Sequence, residues 1–440
     1  MVYKKLLVVI ILFLIFYINF QSIATAEDPI NDIKQASTIA SIVEKSEKRL
    51  DLDWLISQGI TNNPEVIALI NESESSKSRI KQAGALDDPM LSLGIMNFPM
   101  IKMSFRSEAM TQKQIELSQT FPFPGKRKLR EEIAAKESES IEYMYLEKQR
   151  EIINDIKQNY FELSFIEESI DTVNKNKELI SQLIKITQIK YEVGKGSLQD
   201  ILKSQIELSK LGEELIFLEK KRENLKSRIK NLAYIPQDYE LGNTKRLELI
   251  EIALNKNDLI DESYISRPLI NQYQKIIDSY SKRVELAKKE VLPDFKLSGA
   301  YGQRDNGYAD LFSVNLSFNL PIYKKRKQDL KVTEMDYKLL AVSSQLDSIK
   351  NDITYEINDQ IINIEKDKRI IELLKNTIIP QTTQVLDSAI ANYEVNKTDL
   401  LSVIDAQLMF YKFEIEYYRN LSNYYKDIAI LEKAIGKSIF

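Results

Sequence analysis

The chain has 440 residues, 43% hydrophobic and 29% charged, which is enough to bury a large core. Its formal net charge of -4 gives no whole-molecule attraction to phosphate backbones, so nucleic acid is not an expected partner. With no cysteine and no histidine it lacks thiol nucleophiles, Ser-His-Asp triads and cysteine or histidine zinc sites, and its 12 glycines and 11 prolines are too few for a loop-rich fold.

In chain order, Lys4 and Lys5 precede an apolar run from Leu6 to Phe20, and Ala24-Thr25-Ala26 supplies the small residues of a peptidase site. Residues 1–26 therefore read as a signal peptide, with an uncleaved anchor as the other reading because the run approaches bilayer length. Residues 27–62 follow as an N-terminal periplasmic segment. Beyond Phe20 no run approaches the ~20 apolar residues of a transmembrane helix, so any membrane crossing must be made by strands.

The rest of the chain matches itself at a separation of about 200 residues, the mark of an internal duplication. Asn63-Pro64 corresponds to Arg267-Pro268, Asp88-Pro89 to Leu292-Pro293, and Leu117-Ser118 with Pro122 and Lys126-Arg127-Lys128 to Leu316-Ser317 with Pro321 and Lys324-Lys325-Arg326-Lys327. Tyr191-Glu192-Val193-Gly194-Lys195 returns as Tyr393-Glu394-Val395-Asn396-Lys397. The first repeat spans 63–235, with strands near 89–97 and 112–121 and a helical hairpin near 125–235. A linker or equatorial segment spans 236–266. The second repeat spans 267–440, with strands near 294–302 and 311–320 and a hairpin near 324–436.

The strands carry a period of two. Phe312, Val314, Leu316, Phe318 and Leu320 alternate with Ser313, Asn315, Ser317 and Asn319, and Ile115, Leu117 and Phe121 alternate with Gln114, Glu116, Ser118 and Thr120. About ten residues per strand is the length a tilted strand needs to cross hydrocarbon, although one such strand alone fits a soluble hairpin over a helix equally well. With the apolar sides in lipid, four strands would leave edge backbone groups unpaired. Copies must then join until the sheet closes, at eight, twelve or sixteen strands, and the polar residues just named would line the lumen.

The helices are long. From Gly125 to Val193 no Gly or Pro interrupts the interior, a stretch of ~100 Å at ~1.5 Å per residue. The returning helix carries Ile201, Leu208 and Leu215 on one seven-residue series and Leu211, Leu218, Leu225 and Leu232 on another, so the two rods pair as an antiparallel coiled coil. Gly194 and Asn396 suit left-handed turns at the two tips, and Pro380 should kink the descending helix of the second hairpin.

These residues resemble the TolC-type outer-membrane efflux proteins: the doubled strand-strand-hairpin plan, Asp87-Asp88-Pro89 entering the first strand, Gln119-Thr120-Phe121-Pro122-Phe123-Pro124-Gly125-Lys126 leaving the second, and the Tyr-x-Val-Gly tip. The strand entry and exit are most like the branch serving heavy-metal resistance pumps. The resemblance implies a mainly α protein with a short transmembrane β-barrel, a homotrimer with twelve strands in the outer membrane of a Gram-negative cell, continued by a periplasmic α-barrel. It implies a passive efflux conduit, with outer-membrane lipid around it, docked to a periplasmic adaptor (membrane fusion) protein and an inner-membrane pump of the RND type. It further implies a periplasmic aperture at Asp405, Ser402 and Asp399, and adaptor-docking tips at Val193, Gly194, Lys195, Val395, Asn396 and Lys397. Ser402 departs from the doubly acidic form of that aperture, and Asp399 and Asp200 read equally well as helix caps.

Other features have plainer readings. Met90, Met96, Met100, Met103 and Met110 could offer thioethers to Cu(I) or Ag(I), but without Cys or His they are better read as apolar filler. The basic clusters at 126–128 and 324–327 sit where lipid headgroups would lie. Tyr417, Tyr418, Tyr424 and Tyr425 suit helix packing. Neither Glu131-Glu132 nor Glu167-Glu168 makes a shared acid-base pocket, so no enzyme, cofactor or metal centre is expected. The rival function is a periplasmic or surface coiled-coil scaffold without transport.

Overall fold

The computed structural model describes residues 49–439 other than 102 and 306. The signal-peptide expectation and most of the 27–62 segment fall outside them. Helix α1 (Leu52–Asn62) starts at an Asp51 cap and ends at Asn63, which also caps α2 (Pro64–Gly84). Asn63 accepts from the Glu65 amide at 2.9 Å and donates to the Leu232 carbonyl at 3.0 Å, while Pro64 takes the first turn, where no amide donor is needed. The same joint recurs where α5 (Lys256–Ser266) ends at Arg267 and Pro268 opens α6 (Pro268–Lys289). Sequence reading left both eleven-residue helices out of the repeats; the caps at Asp51 and Asn255 were their only local signal.

Strands β1 (Met90–Met96), β2 (Gln112–Phe121), β3 (Phe295–Arg304) and β4 (Leu311–Phe318) form one antiparallel sheet in sequence order. Residues Gln112 to Phe121 of β2 lie opposite Arg304 to Phe295, which welds the two strand pairs together. β4 stops at Phe318, short of the expected 320. Asn319 lies beyond it, its amide reaching the Asp294 carbonyl at 3.3 Å and its side chain accepting from the Asp294 amide.

Two long limbs run on from the sheet, after β2 and after β4, and a second helix returns along each. Helix α3 (Lys126–Glu192) runs unbroken for 67 residues and α4 (Leu198–Leu232) returns for 35. In the second hairpin α7 begins at Gln328 (Gln328–Leu373), after a 3-10 turn at Lys324–Arg326. It passes through a π turn (Leu374–Ile378) into α8 (Ile379–Glu394), and α9 (Leu400–Ile435) returns. The expected disturbance at Pro380 thus takes the form of a widened turn just before it, which accommodates a ring that clashes with the preceding turn and a missing donor. No helix among the described residues is long and apolar enough to cross a membrane.

The rods hold their own core. One cluster joins α1, α3, α4, α7 and α9 through Leu55, Ile156, Leu163, Ile229, Ile357 and Ile428, all fully buried. A second, nearer the tips, packs Ile166, Val173, Ile180, Leu211, Leu218 and Val403. Ion pairs cross the same interfaces. Arg267 grips Glu147 at 2.8 Å and donates to the Lys433 carbonyl at 2.6 Å, and Lys157 bonds Glu432. Glu162 on α3 receives Lys221 of α4 at 2.7 Å and Lys426 of α9. Burial opposes its ionisation, but the hydrogen bonds from Lys221 and Lys426 outweigh it and hold the carboxyl down at about 2.

Candidate functional site: sheet faces and hairpin tips

Strand register sorts the side chains into two faces. Leu91, Leu117, Gly299 and Val314 form one row across the sheet, and Leu93, Ile115, Tyr301 and Phe312 the next. This face is turned to the surroundings: Leu93 is 72% exposed, Phe312 74% and Val314 62%. The opposite face carries Met90, Ser118, Ser298 and Asn315 in one row and Ser92, Glu116, Ala300 and Ser313 in the next. Ser118 and Ser298 are buried, and Gln114 and Glu116 half-buried. The pattern is inverted relative to a sheet packed on a water-soluble core. Of the residues expected to line a lumen, Gln114, Glu116, Ser118 and Thr120 and Ser313, Asn315 and Ser317 occupy this polar face; Asn319 stands beyond the strand end.

The joint between sheet and rods is a clamp. Gly125 takes φ +91°, a left-handed conformation, and places Lys126 so that its ammonium donates to the Leu292 carbonyl at 2.7 Å and to Asp294 at 2.8 Å. Asp294 also accepts from the Phe123 amide at 2.7 Å. Lys126 is buried, so it departs from the expected headgroup role of its cluster: its charge is neutralised within the protein.

At the far end the two tips are tied to each other. Gly194 (φ +72°) and Asn396 (φ +59°) are both left-handed, and the Lys195 and Lys397 amides close equivalent turns on the Lys190 and Asn392 carbonyls, each at 2.8 Å. The buried Lys190 ammonium donates to the Tyr393 carbonyl and to Asn396 Oδ1 at 2.6 Å, lying 4.0 Å from the centre of the Tyr393 ring. Asparagine at 396 therefore supplies an acceptor that glycine lacks. Val193 and Val395 project outward, more than half exposed, beside exposed Lys195 and Lys397.

Asp399 caps α9, accepting from the Ser402 amide at 3.0 Å and its hydroxyl at 2.6 Å, and these bonds hold its carboxyl below the usual range. Ser197 and Asp200 make a reciprocal capping box on α4. Asp405, nearly two turns beyond the cap, is exposed. The methionines are exposed too, from 45% at Met96 to 80% at Met100, and the described residues contain no cluster of three or more carboxylates placed to share a metal ion. Sequence reading missed what the tyrosines of α9 do: Tyr424 and Tyr425 donate to the Ile250 and Glu248 carbonyls at 2.7 and 2.5 Å, pinning the extended chain between α4 and α5.

Outer-membrane channel proteins share this plan of an apolar-faced sheet joined to long coiled rods, and the chain is similar to several of them. Residues 55–233 match the outer membrane efflux protein family. The chain is 19% identical to outer membrane protein TolC of Vibrio cholerae over 69% of its length and 72% of that protein, and 20% identical to the cobalt-zinc-cadmium resistance protein CzcC of Cupriavidus metallidurans over 88% and 90%. The crystal structure of VceC from Vibrio cholerae superposes with a TM-score of 0.74 at 16% identity, covering 88% of this chain and 97% of that one. The chain is thus similar to TolC-type outer-membrane efflux proteins, and these likenesses support an outer-membrane efflux channel with a periplasmic portion.

Proposed function

We propose that three copies close their sheets edge to edge into a twelve-stranded barrel, continued inward by a tube of their helical hairpins, and that this trimer is a passive duct for small molecules or metal ions. The carrying observation is the inverted sheet with two open edges. β1 and β4 each have a neighbour on one side only, and unpaired backbone groups cost several kcal/mol each in hydrocarbon. A scaffold without transport leaves that apolar face unexplained. Energy comes from an inner-membrane pump of the RND type, reached through an adaptor that docks on the Val193-Gly194-Lys195 and Val395-Asn396-Lys397 tips. The likeness to a cobalt-zinc-cadmium resistance protein over 88% of the chain supports metal cations as cargo, which a metal susceptibility panel on a deletion strain tests.

Three copies of Asp405 around the axis would attract cations and narrow the inner end. Asp405→Ala should raise single-channel conductance in planar bilayers and weaken block by divalent cations; unchanged values remove Asp405 from the aperture. Cross-linking detergent-extracted outer membranes should give covalent trimers, and monomers alone would refute the closed barrel.

A further inference from the structure

Two connections leave the end of the sheet away from the rods, and they differ in chemistry. The β3–β4 connection, residues 305–310, is short and polar. Arg304 donates to the Ala309 carbonyl at 2.6 Å and lies 5.5 Å from the Tyr308 ring centre, and Tyr301 bonds Asp310. The β1–β2 connection, residues 97–111, instead carries Phe98, Met100, Ile101, Met103, Phe105 and Met110. Met100 is 80% exposed, Ile101 97% and Met103 71%, a concentration of apolar side chains that water does not favour.

The geometry fixes which way this loop leans. Its neck is closed by Thr111 donating to the Asn97 carbonyl at 2.9 Å and Asn97 donating to the Met110 carbonyl at 3.3 Å. Phe105 packs on Phe98, ring centres 4.9 Å apart, and the Lys113 ammonium lies 4.9 Å from the Phe105 ring centre. Lys113 stands opposite Ile95 and alternates in phase with Ile115 and Leu117, so it belongs to the apolar face. The loop is therefore held over the apolar side of the sheet, and its bare methionines and isoleucine extend that surface beyond the strand ends.

We propose that residues 97–101 and 103–111 form a membrane-seated foot, with Met100, Ile101 and Met103 in the outer-leaflet lipid that surrounds the barrel and Lys113 snorkelling toward headgroup level. The occupant is lipid because the loop continues a lipid-facing surface. This inference rests on the barrel reading, and the test separates the two. The chain has no cysteine, so single replacements at exposed positions can be spin-labelled cleanly: Leu93→Cys on the sheet, Ile101→Cys on the loop and Ala309→Cys on the polar connection. In proteoliposomes of the full chain, the labels at 93 and 101 should collide with lipid-soluble oxygen and be shielded from a water-soluble nickel chelate, the label at 101 lying shallower. The label at 309 should collide with nickel. Nickel access at 101 with oxygen access at 93 overturns the foot and leaves the barrel standing. Shielding at 101 from both reagents means protein contact with a neighbouring copy and also overturns it. Nickel access at 93 defeats the barrel reading and the foot with it.

Discussion

The sheet and the rods spend the same side chains in opposite directions. Ile156 in α3 is fully buried against its neighbours, whereas Ile115 in β2 is half exposed, opposite Leu93, itself bare. Charged residues reverse likewise: the rods bury Arg267 with Glu147 and Lys157 with Glu432, while the sheet keeps Glu116 on its shielded face. Apolar burial stabilises at roughly 25 cal/mol per Å² wherever water is the alternative, so the rods fold on themselves and the sheet's apolar face awaits a different solvent. On the barrel proposed above, the difference means a chain built for two media, with the Lys126–Asp294 clamp at the joint.

That contrast can be broken most strongly in the sheet. Leu117→Arg should cost ~2–4 kcal/mol of membrane insertion, measured as the fraction recovered in lipid vesicles, while helical unfolding in detergent stays unchanged. Coupled loss of both would show that the apolar face serves the protein's own core. In the rods, Glu147→Gln would leave the buried Arg267 charge with only the more distant Glu356 carboxylate at 3.8 Å, and the expected loss is ~2–3 kcal/mol of rod stability, read from denaturant unfolding followed by helical circular dichroism. A change below ~1 kcal/mol would mean that the site is wet. The smallest effect sharpens the ionic side. The Glu162 carboxyl, at about 2, lies below its usual value of 4.5, so its contribution is full above about pH 4.5 and is lost as pH falls toward 2. The stability difference between wild type and Glu162→Gln, of the order of 2 kcal/mol at neutral pH, should shrink across that window and is measured by unfolding at a series of pH values.

Local periodicity carried much of this into the sequence. The alternation from Phe312 onward marks β4, and the leucine series from Leu211 to Leu232 marks the packed side of α4, because both patterns reflect contacts made within one element. Pairings between distant residues left no such trace. Lys126 sits in a run of three basic residues that looks solvated, and its partner Asp294 lies 168 positions away. Asn396 looks like a weakened glycine until Lys190, 206 positions earlier, is seen bonded to its side chain. The residues proposed for the aperture stand in the sequence as a serine and two aspartates, but the cap that joins Asp399 to Ser402 depends on where α9 begins. Met100 and Ile101 were visible as an apolar run, whereas the lean of their loop depends on Phe105 meeting Lys113.

The two hairpins also differ as mechanical parts. Helix α3 is a single strut from the clamp to the tip, with no break in its hydrogen-bond ladder over 67 residues. Its counterpart carries a loosened link at Leu374–Ile378, roughly 32 Å from the tip at ~1.5 Å per residue. A sideways load applied at the tips is therefore borne stiffly by one limb and absorbed partway up the other, so the two limbs of each subunit would yield unequally to the same push.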